Sequence, residues 1–116
     1  MSGYKELAIY RKSYEGALRI HKLTATFPKH ELYEIGSQMR RAAMSIPLNI
    51  AEGYGRKLHQ NDFKNFLKNA LGSCNEMQVL LDMSKDLGYI DKDYDELQET
   101  YDHISRQIVR FIQAID

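Results

Sequence analysis

Apolar side chains recur every three to four residues along almost the whole sequence, and this spacing restricts the chain to a helical fold. Alternation with period two, which would indicate β-strands, does not occur over a useful length. Only two prolines and seven glycines interrupt the pattern in 116 residues. The sequence therefore predicts an all-α fold, an antiparallel up-down-up-down four-helix bundle that forms a single domain over residues 1–116.

The apolar pattern divides into four segments, each long enough for a bundle helix. The predicted helices cover about Tyr4–Thr26, Lys29–Tyr54, Asn61–Leu87 and Asp91–Ile115. The second is apolar around much of its circumference, so we expect it to be the innermost helix. Pro47 is expected to kink or loosen it, because proline removes the hydrogen bond to the Ala43 carbonyl. Asn61 is the predicted N-cap of the third helix.

The core stripes predict which side chains meet in the bundle. In the first helix the stripe includes Tyr14 and Leu18. The fourth helix has the most regular stripe, with alternating steps of four and three residues. Its members are Leu97, Tyr101, Ile104, Ile108, Phe111 and Ile115.

Charge and cysteine content limit the setting of the protein. The 16 basic and 16 acidic residues give a formal net charge of zero. Residues 1–30 carry six basic and two acidic side chains, whereas residues 89–116 carry three basic and seven acidic ones. A single cysteine, Cys74, excludes an internal disulfide, and no segment approaches the roughly 18 apolar residues of a membrane span. We therefore expect a cytoplasmic protein without membrane contact.

The sequence contains no pattern that matches the catalytic and metal sites known from helical bundles. Di-iron sites need Glu-x-x-His pairs, and none of the four histidines has a glutamate three residues before it. No arginine precedes a histidine at the spacing of small helical ribonucleases. Cys74 lies on an apolar helix face, where a free cysteine behaves as a small hydrophobic residue. We therefore expect no catalytic activity, no metal and no cofactor.

Polar side chains recur along one side of the second helix, at steps of three or four residues. They are Gln38, Arg41, Ser45, Asn49 and Glu52, with Ser73 and Glu76 of the third helix as candidate partners. If these groups are buried, each must find a hydrogen-bond partner, since an unpaired one costs about 1–3 kcal/mol. The pattern predicts a structural polar network that fixes helix register. The alternative is a contact with a ligand or another subunit.

Basic side chains cluster on one side of the first helix, within a sector of 120°. They are Lys5, Arg11, Lys12, Arg19 and Lys22, and Arg40, Arg41, Arg56 and Lys57 near the second helix could extend the face. A solvated face is the usual meaning of such a pattern. The alternative is contact with the phosphates of RNA or DNA.

The segment of residues 27–56 reads FPKHELYEIGSQMRRAAMSIPLNIAEGYGR. It resembles the four-helix bundle family named for open reading frames in 23S ribosomal RNA intervening sequences. The matching stretches are Ser37–Ala43, Ser45–Pro47, Asn49–Gly53 and Gly72–Ser73 with Glu76. The resemblance implies an up-down-up-down bundle that assembles into ring-like homopentamers. A related branch comprises basic accessory proteins of diversity-generating retroelements, which bind nucleic acid and a reverse transcriptase.

Residue pattern and resemblance together lead to a functional hypothesis. Four apolar residues lie partly outside the core stripes, and they are Ile20, Leu23, Phe27 and Leu48. Together with eight tyrosines, they indicate surface available for self-association. We expect a non-enzymatic homo-oligomer, a pentamer by resemblance, that acts as an adaptor for a protein partner or as an RNA-associated protein. The alternative is a nucleic-acid-binding accessory protein that uses the basic face of the first helix.

Overall fold

The chain folds into four long helices, as the apolar periodicity predicts. The computed structural model describes residues 3–115, which contain no β-strand. A 3₁₀ turn at Tyr4–Glu6 precedes the helices, which are α1 (Ala8–Thr24), the short α2 (Lys29–Leu32), α3 (Ile35–Gly55), α4 (Gln60–Asp86) and α5 (Tyr94–Ile115). The all-α prediction is confirmed.

The consecutive helices α3, α4 and α5 run antiparallel, which follows from the residue pairs that meet between them. Between α3 and α4, Ser45 contacts Ser73 and Met39 contacts Ser84, so sequence numbers rise on one helix as they fall on the other. Between α5 and α4, Tyr94 likewise contacts Asp82 and Gln98 contacts Gln78. Each long helix packs on two others, α1 and α4 both lying against α3 and α5. The result is a rod of 45 × 22 × 20 Å.

A continuous apolar cluster fills the centre of the rod. In α3, Met39, Ala43, Ile46 and Ile50 are fully buried at helical spacing. In α5, Leu97, Tyr101, Ile104 and Ile108 of the predicted stripe are buried, and Phe111 and Ile115 pack partly buried against the cluster. Each fully buried large aliphatic side chain contributes roughly 1.5–3 kcal/mol of transfer free energy. This burial holds the helices together without a disulfide.

The predicted second helix is not continuous, because the chain leaves helical geometry at Tyr33 and Glu34. Glu34 has φ −107° and ψ −101°, and α3 begins only after it. The end of α2 is closed from outside the helix, since the Arg40 guanidinium donates a hydrogen bond to the Leu32 carbonyl at 2.9 Å. Such a bond satisfies a carbonyl that has no partner within its own helix. The break thus depends on a tertiary contact, which periodicity does not reveal.

Several helix ends also differ from the sequence prediction. Helix α1 ends at Thr24, and α5 begins at Tyr94 after a turn over residues 91–93. The prediction of Asn61 as an N-cap is wrong, because α4 already begins at Gln60 and His59 precedes it without a side-chain cap. The backbone stays helical across Pro47, so the proline does not end α3.

Gly88 follows the end of α4, directly after Leu87, where the sequence predicts that the third helix ends. It has φ +82°, a conformation that glycine adopts without steric cost. The following Tyr89 N–H donates to the Ser84 carbonyl at 2.8 Å, which closes the last turn of the helix.

Candidate functional site: an apolar groove between α1 and α3

Three of the seven residues predicted for the polar network come together between α3 and α4. The Ser73 hydroxyl donates to Ser45 Oγ at 2.9 Å. Asn49 Nδ2 donates to Ser45 Oγ at 2.9 Å and to the Ser45 carbonyl at 2.8 Å. All three side chains are half-buried. This triad joins the two helices through short side chains.

The other four members of the predicted network lie outside it. Three of them are exposed, and they are Gln38, Arg41 and Glu76. Their side chains form neither a hydrogen bond nor an ion pair within residues 3–115. Glu52 is also exposed and pairs with Arg56 at 3.6 Å, one turn further along α3. The network is smaller than expected because α3 turns one side to solvent, so its long polar side chains need no buried partner.

Four of the predicted basic residues are engaged in contacts within the chain. Arg19 pairs with Glu96 at 2.7 Å and with Asp93 at 3.5 Å, which connects α1 to the start of α5. Arg40 donates to Thr24 Oγ1 at 3.1 Å as well as to the Leu32 carbonyl.

The two predicted basic residues at the end of α3 contact aromatic rings. The Arg56 guanidinium lies 5.4 Å from the centre of the Phe66 ring, and the Lys57 ammonium lies 4.3 Å from the centre of the Tyr54 ring. Each such cation–π contact contributes about 0.5–1 kcal/mol at an exposed site. Both side chains therefore have a structural role at the α3–α4 corner.

The four basic residues of the predicted face that lie on or just before α1, apart from Arg19, are exposed. Lys5, Arg11, Lys12 and Lys22 form no ion pair within the described part of the chain, residues 3–115. They lie on α1 and on the 3₁₀ turn before it. Of the nine basic residues predicted for the face, these four and Arg41 on α3 thus stay exposed without an ion pair in the described residues.

The most distinctive surface feature is an apolar groove between α1 and α3, which sequence analysis did not identify. It encloses about 400 Å³, and its lining is largely apolar. We call it the α1–α3 groove, and it is lined by Tyr4, Tyr10, Tyr14, Ala17, Leu18, His21, Met44, Pro47, Leu48 and Ala51.

The groove contains side chains that the sequence places in the core. Tyr14 and Leu18 were expected in the core stripe of the first helix, yet each is about half exposed. The prediction is wrong because the core takes the side of α1 that carries Ile9, Ser13 and Ile20. A second apolar stripe on α3, which includes Met44 and Leu48 four residues apart, is the signal that could have indicated the groove.

Leu48 is the most exposed apolar side chain of the groove, at 67% of its accessible surface. On the opposite wall, the Tyr10 and Tyr14 rings lie 5.8 Å apart and the Tyr4 ring meets Tyr10 edge-on at 4.9 Å. Burial, and then the neighbouring Tyr4 and Tyr14, raise the pKa of Tyr10 above its usual value. The hydroxyl stays protonated at neutral pH, so this wall carries no negative charge.

Potential nucleophiles of the chain lie in the core, away from the groove. Cys74 is fully buried, and this burial raises the pKa of its thiol to about 12. The Tyr101 hydroxyl is buried without a hydrogen-bond partner and lies against Gly16, where an added Cβ would come within 2.9 Å. Neither group can meet a substrate from solvent. Among residues 3–115, no three His, Cys, Asp or Glu side chains are grouped so that they could hold a metal ion.

The family of the chain follows from comparison with known proteins. The family model described as 23S rRNA-intervening sequence protein matches residues 5–110. The chain belongs to this family. The resemblance inferred from the sequence is thereby confirmed.

A crystal structure supports the same assignment for this 23S rRNA-intervening sequence family member. It is of a protein with unknown function from the S23 ribosomal protein family of Bacteroides thetaiotaomicron, with a TM-score of 0.79 and 26% sequence identity. The match covers 90% of this chain and 98% of that one. A comparison with curated proteins finds no match. None of the helices within residues 3–115 combines the length and the apolar character needed to cross a membrane.

Proposed function

We propose that this protein is non-enzymatic and works by assembling with copies of itself. In this assembly, another copy covers the α1–α3 groove. The assembly, a ring-like pentamer by family resemblance, would act as an adaptor or RNA-associated scaffold in the cytoplasm. The observation that carries the proposal is the groove, because it is apolar, open to solvent and built from rigid helices. It concentrates Tyr14, Leu18, Met44 and Leu48 in one place.

Physical chemistry favours an interface at this surface. A contiguous exposed apolar patch, as opposed to scattered apolar residues, is typical of an interaction site. Tyrosine and methionine are enriched at protein interfaces, and the groove contains both. Leu48 is 67% exposed, so covering it completely would contribute about 1–2 kcal/mol, roughly two thirds of what a large aliphatic side chain can supply.

The chain has few accessible side-chain groups that could serve in catalysis. The one thiol is buried and protonated, and the unpartnered tyrosine hydroxyl is sealed in the core. The groove itself offers tyrosine hydroxyls and His21, whose Nδ1 lies 3.1 Å from the Ala17 carbonyl. The described residues that line the groove include no carboxylate, amine or thiol side chain. These features favour a binding role for the groove.

Multi-angle light scattering over a concentration series tests the proposal. The wild-type protein should scatter as a multiple of the 13.5 kDa chain at tens of micromolar. Leu48→Asp should shift the protein to monomer, because a carboxylate cannot be covered by an apolar partner. Leu58→Asp is the matched control, since Leu58 is 89% exposed and lies outside the groove. A strictly monomeric wild-type protein, or equal assembly of all three, would contradict the proposal.

A second candidate function rests on the four exposed cations of the basic face. We infer that Lys5, Arg11, Lys12 and Lys22 could contact the phosphates of RNA or DNA, because none of them has an ion-pair partner in residues 3–115. Four phosphate contacts would make the logarithm of the duplex affinity fall with a slope of about −3.6 against the logarithm of salt concentration.

Fluorescence anisotropy with labelled RNA and DNA between 50 and 200 mM salt checks this second function. Lys12→Glu should weaken binding, whereas Lys68→Glu on the exposed side of α4 should leave it unchanged. Undetectable binding at 50 mM salt, or equal loss in both variants, would remove it.

A further inference from the structure

A second exposed apolar surface lies on α4, away from the groove. Val79, Met83 and Leu87 follow one another at four-residue steps and are about half exposed or more, Val79 at 58%. We call these three residues the α4 strip. At a rise of 1.5 Å per residue, the strip spans about 12 Å along one side of the helix and its C-terminal end.

The α4 strip matches the α1–α3 groove in length. On α3 the groove extends from Met44 to Ala51, about 10 Å along the axis, and on α1 from Tyr10 to His21, about 16 Å. An apolar helix face with anchors at four-residue steps is the usual occupant of a groove between two helices. The strip and the groove share no residue, so one copy can offer both at once.

The charges beside the two surfaces are complementary. Exposed Glu76, Asp82 and Asp86 lie three or four residues from members of the strip, and therefore beside them on α4. Three exposed cations lie at the same spacing from the groove residues Tyr14, Leu18 and Met44, and they are Arg11, Lys22 and Arg41. Two exposed acids of α1 and α3, Glu15 and Glu52, also lie at this spacing from groove residues, but Glu52 is paired with Arg56, so positive charge predominates beside the groove. Opposite charges around an interface favour encounter and fix its register.

We propose that the α4 strip of one copy occupies the α1–α3 groove of the next copy, head to tail. This inference rests on the proposed self-assembly and names the surface that fills the groove. Since every copy presents both surfaces, such contacts close into a ring or continue as a filament, depending on the rotation between copies. Groove-to-groove pairing is the alternative, but it leaves the strip uncovered and brings cations of both copies together.

Two variants and their mixture separate these arrangements. Leu48→Asp blocks the groove and keeps the strip, whereas Val79→Asp blocks the strip and keeps the groove. Both positions are largely exposed in the monomer, so each variant should keep the helical circular dichroism spectrum of the wild type. Each variant alone should be monomeric by light scattering. Their equimolar mixture should form a 1:1 dimer and nothing larger, because it contains one intact groove–strip contact and one doubly blocked contact.

The outcomes distinguish the head-to-tail contact from the proposed self-assembly on which it rests. A Val79→Asp protein that assembles like the wild type would overturn the head-to-tail contact while leaving self-assembly through the groove intact. A mixture that stays monomeric would also overturn it. A monomeric wild-type protein would remove the proposed function itself. Met83→Asp repeats the strip test at a second position and should behave like Val79→Asp, whereas Leu58→Asp should assemble normally.

Discussion

The two sides of α3 show how differently one helix can be used. Towards α4 the junction is closed by small and polar side chains. The Ser45–Ser73 hydrogen bond and the Ser84–Met39 contact cross it. Gly53 lets α3 approach α4 so closely that a Cβ added at Gly53 would lie 2.8 Å from the Cβ of Phe66. Towards α1, in contrast, the junction opens into the apolar groove.

This difference indicates which junction is fully packed within a single chain. Short side chains allow close contact and leave no apolar surface, so the α3–α4 junction stabilises the monomer. The α1–α3 junction leaves large apolar groups such as Leu48 in water, where they add nothing to the fold. On the proposed assembly, a second copy would supply its stabilisation. We therefore regard the closed junction as the part that determines the fold and the open one as the part that determines assembly.

The largest expected effect concerns access of solvent to the closed side. Cys74 neighbours the Ser73 contact and is fully buried, so a thiol reagent at pH 8 should modify it on the order of a thousandfold more slowly than in urea. Rates of modification by an absorbing disulfide reagent measure this. Rapid modification of the folded protein would show that the closed junction opens readily, and the contrast between the junctions would then fail.

The same thiol gives a pH dependence whose sign is defined. Burial raises the pKa of Cys74 from 9.0 to about 12, so above pH 9 the unfolded chain ionises this group before the folded one does. The contribution to stability is complete below pH 9 and is lost as the pH rises towards 12. Urea unfolding of wild type and Cys74→Ala between pH 8 and 11 should show a steeper decline for the wild type. Parallel declines would contradict the shift.

Gly53→Ala tests the close approach of α3 to α4. The added methyl group would press on the Cβ of Phe66, which cannot swing away, and should cost about 1–3 kcal/mol in free energy of unfolding. Gly72→Ala is the matched control, since nothing lies within 4 Å of its added Cβ. It should instead stabilise α4 by about 0.5–1 kcal/mol. Equal effects in thermal unfolding would show that the junction is not tightly packed at Gly53.

Ser73→Ala should have the smallest of these effects. It removes the hydrogen bond to Ser45 and should cost about 0.5–1.5 kcal/mol. Asn69→Ala, on an exposed position of the same helix, should change stability by no more than about 0.5 kcal/mol. A larger loss for Asn69→Ala than for Ser73→Ala in urea unfolding would contradict the role of the triad.

Sequence analysis predicts much of the fold because apolar periodicity reflects burial directly. The buried stripe of α5 from Leu97 to Ile108 and the glycine stop at Gly88 both follow from residue type and spacing. The break at Tyr33 does not, because it accompanies a hydrogen bond from Arg40 back to the Leu32 carbonyl, eight residues earlier in the chain. Local patterns contain no information about such a contact.

The candidate site was much harder to predict than the fold. Periodicity locates an apolar face but cannot show whether the face meets the core or solvent, so Tyr14 and Leu18 were placed in the core. For the same reason, Arg41 and Glu76 were expected in a buried network although both are exposed. The expectation of surplus apolar surface is wrong for Ile20 and Phe27, which are buried in the core, and of its four residues only Leu48 lines the groove. The groove emerges only when α1 and α3 are placed side by side.

The most direct test of the contrast is whether position 48 becomes covered as the protein concentration rises. Leu48→Cys keeps the position apolar, and Leu58→Cys provides a reference outside the groove, while buried Cys74 remains unmodified in both. Maleimide labelling at position 48 should become markedly slower as the protein concentration rises from about 1 to about 200 µM, which is roughly the range in which weak interfaces form. Labelling at position 58 should stay fast throughout. Equal and constant rates at both positions would contradict the assignment of the α1–α3 groove as the assembly surface.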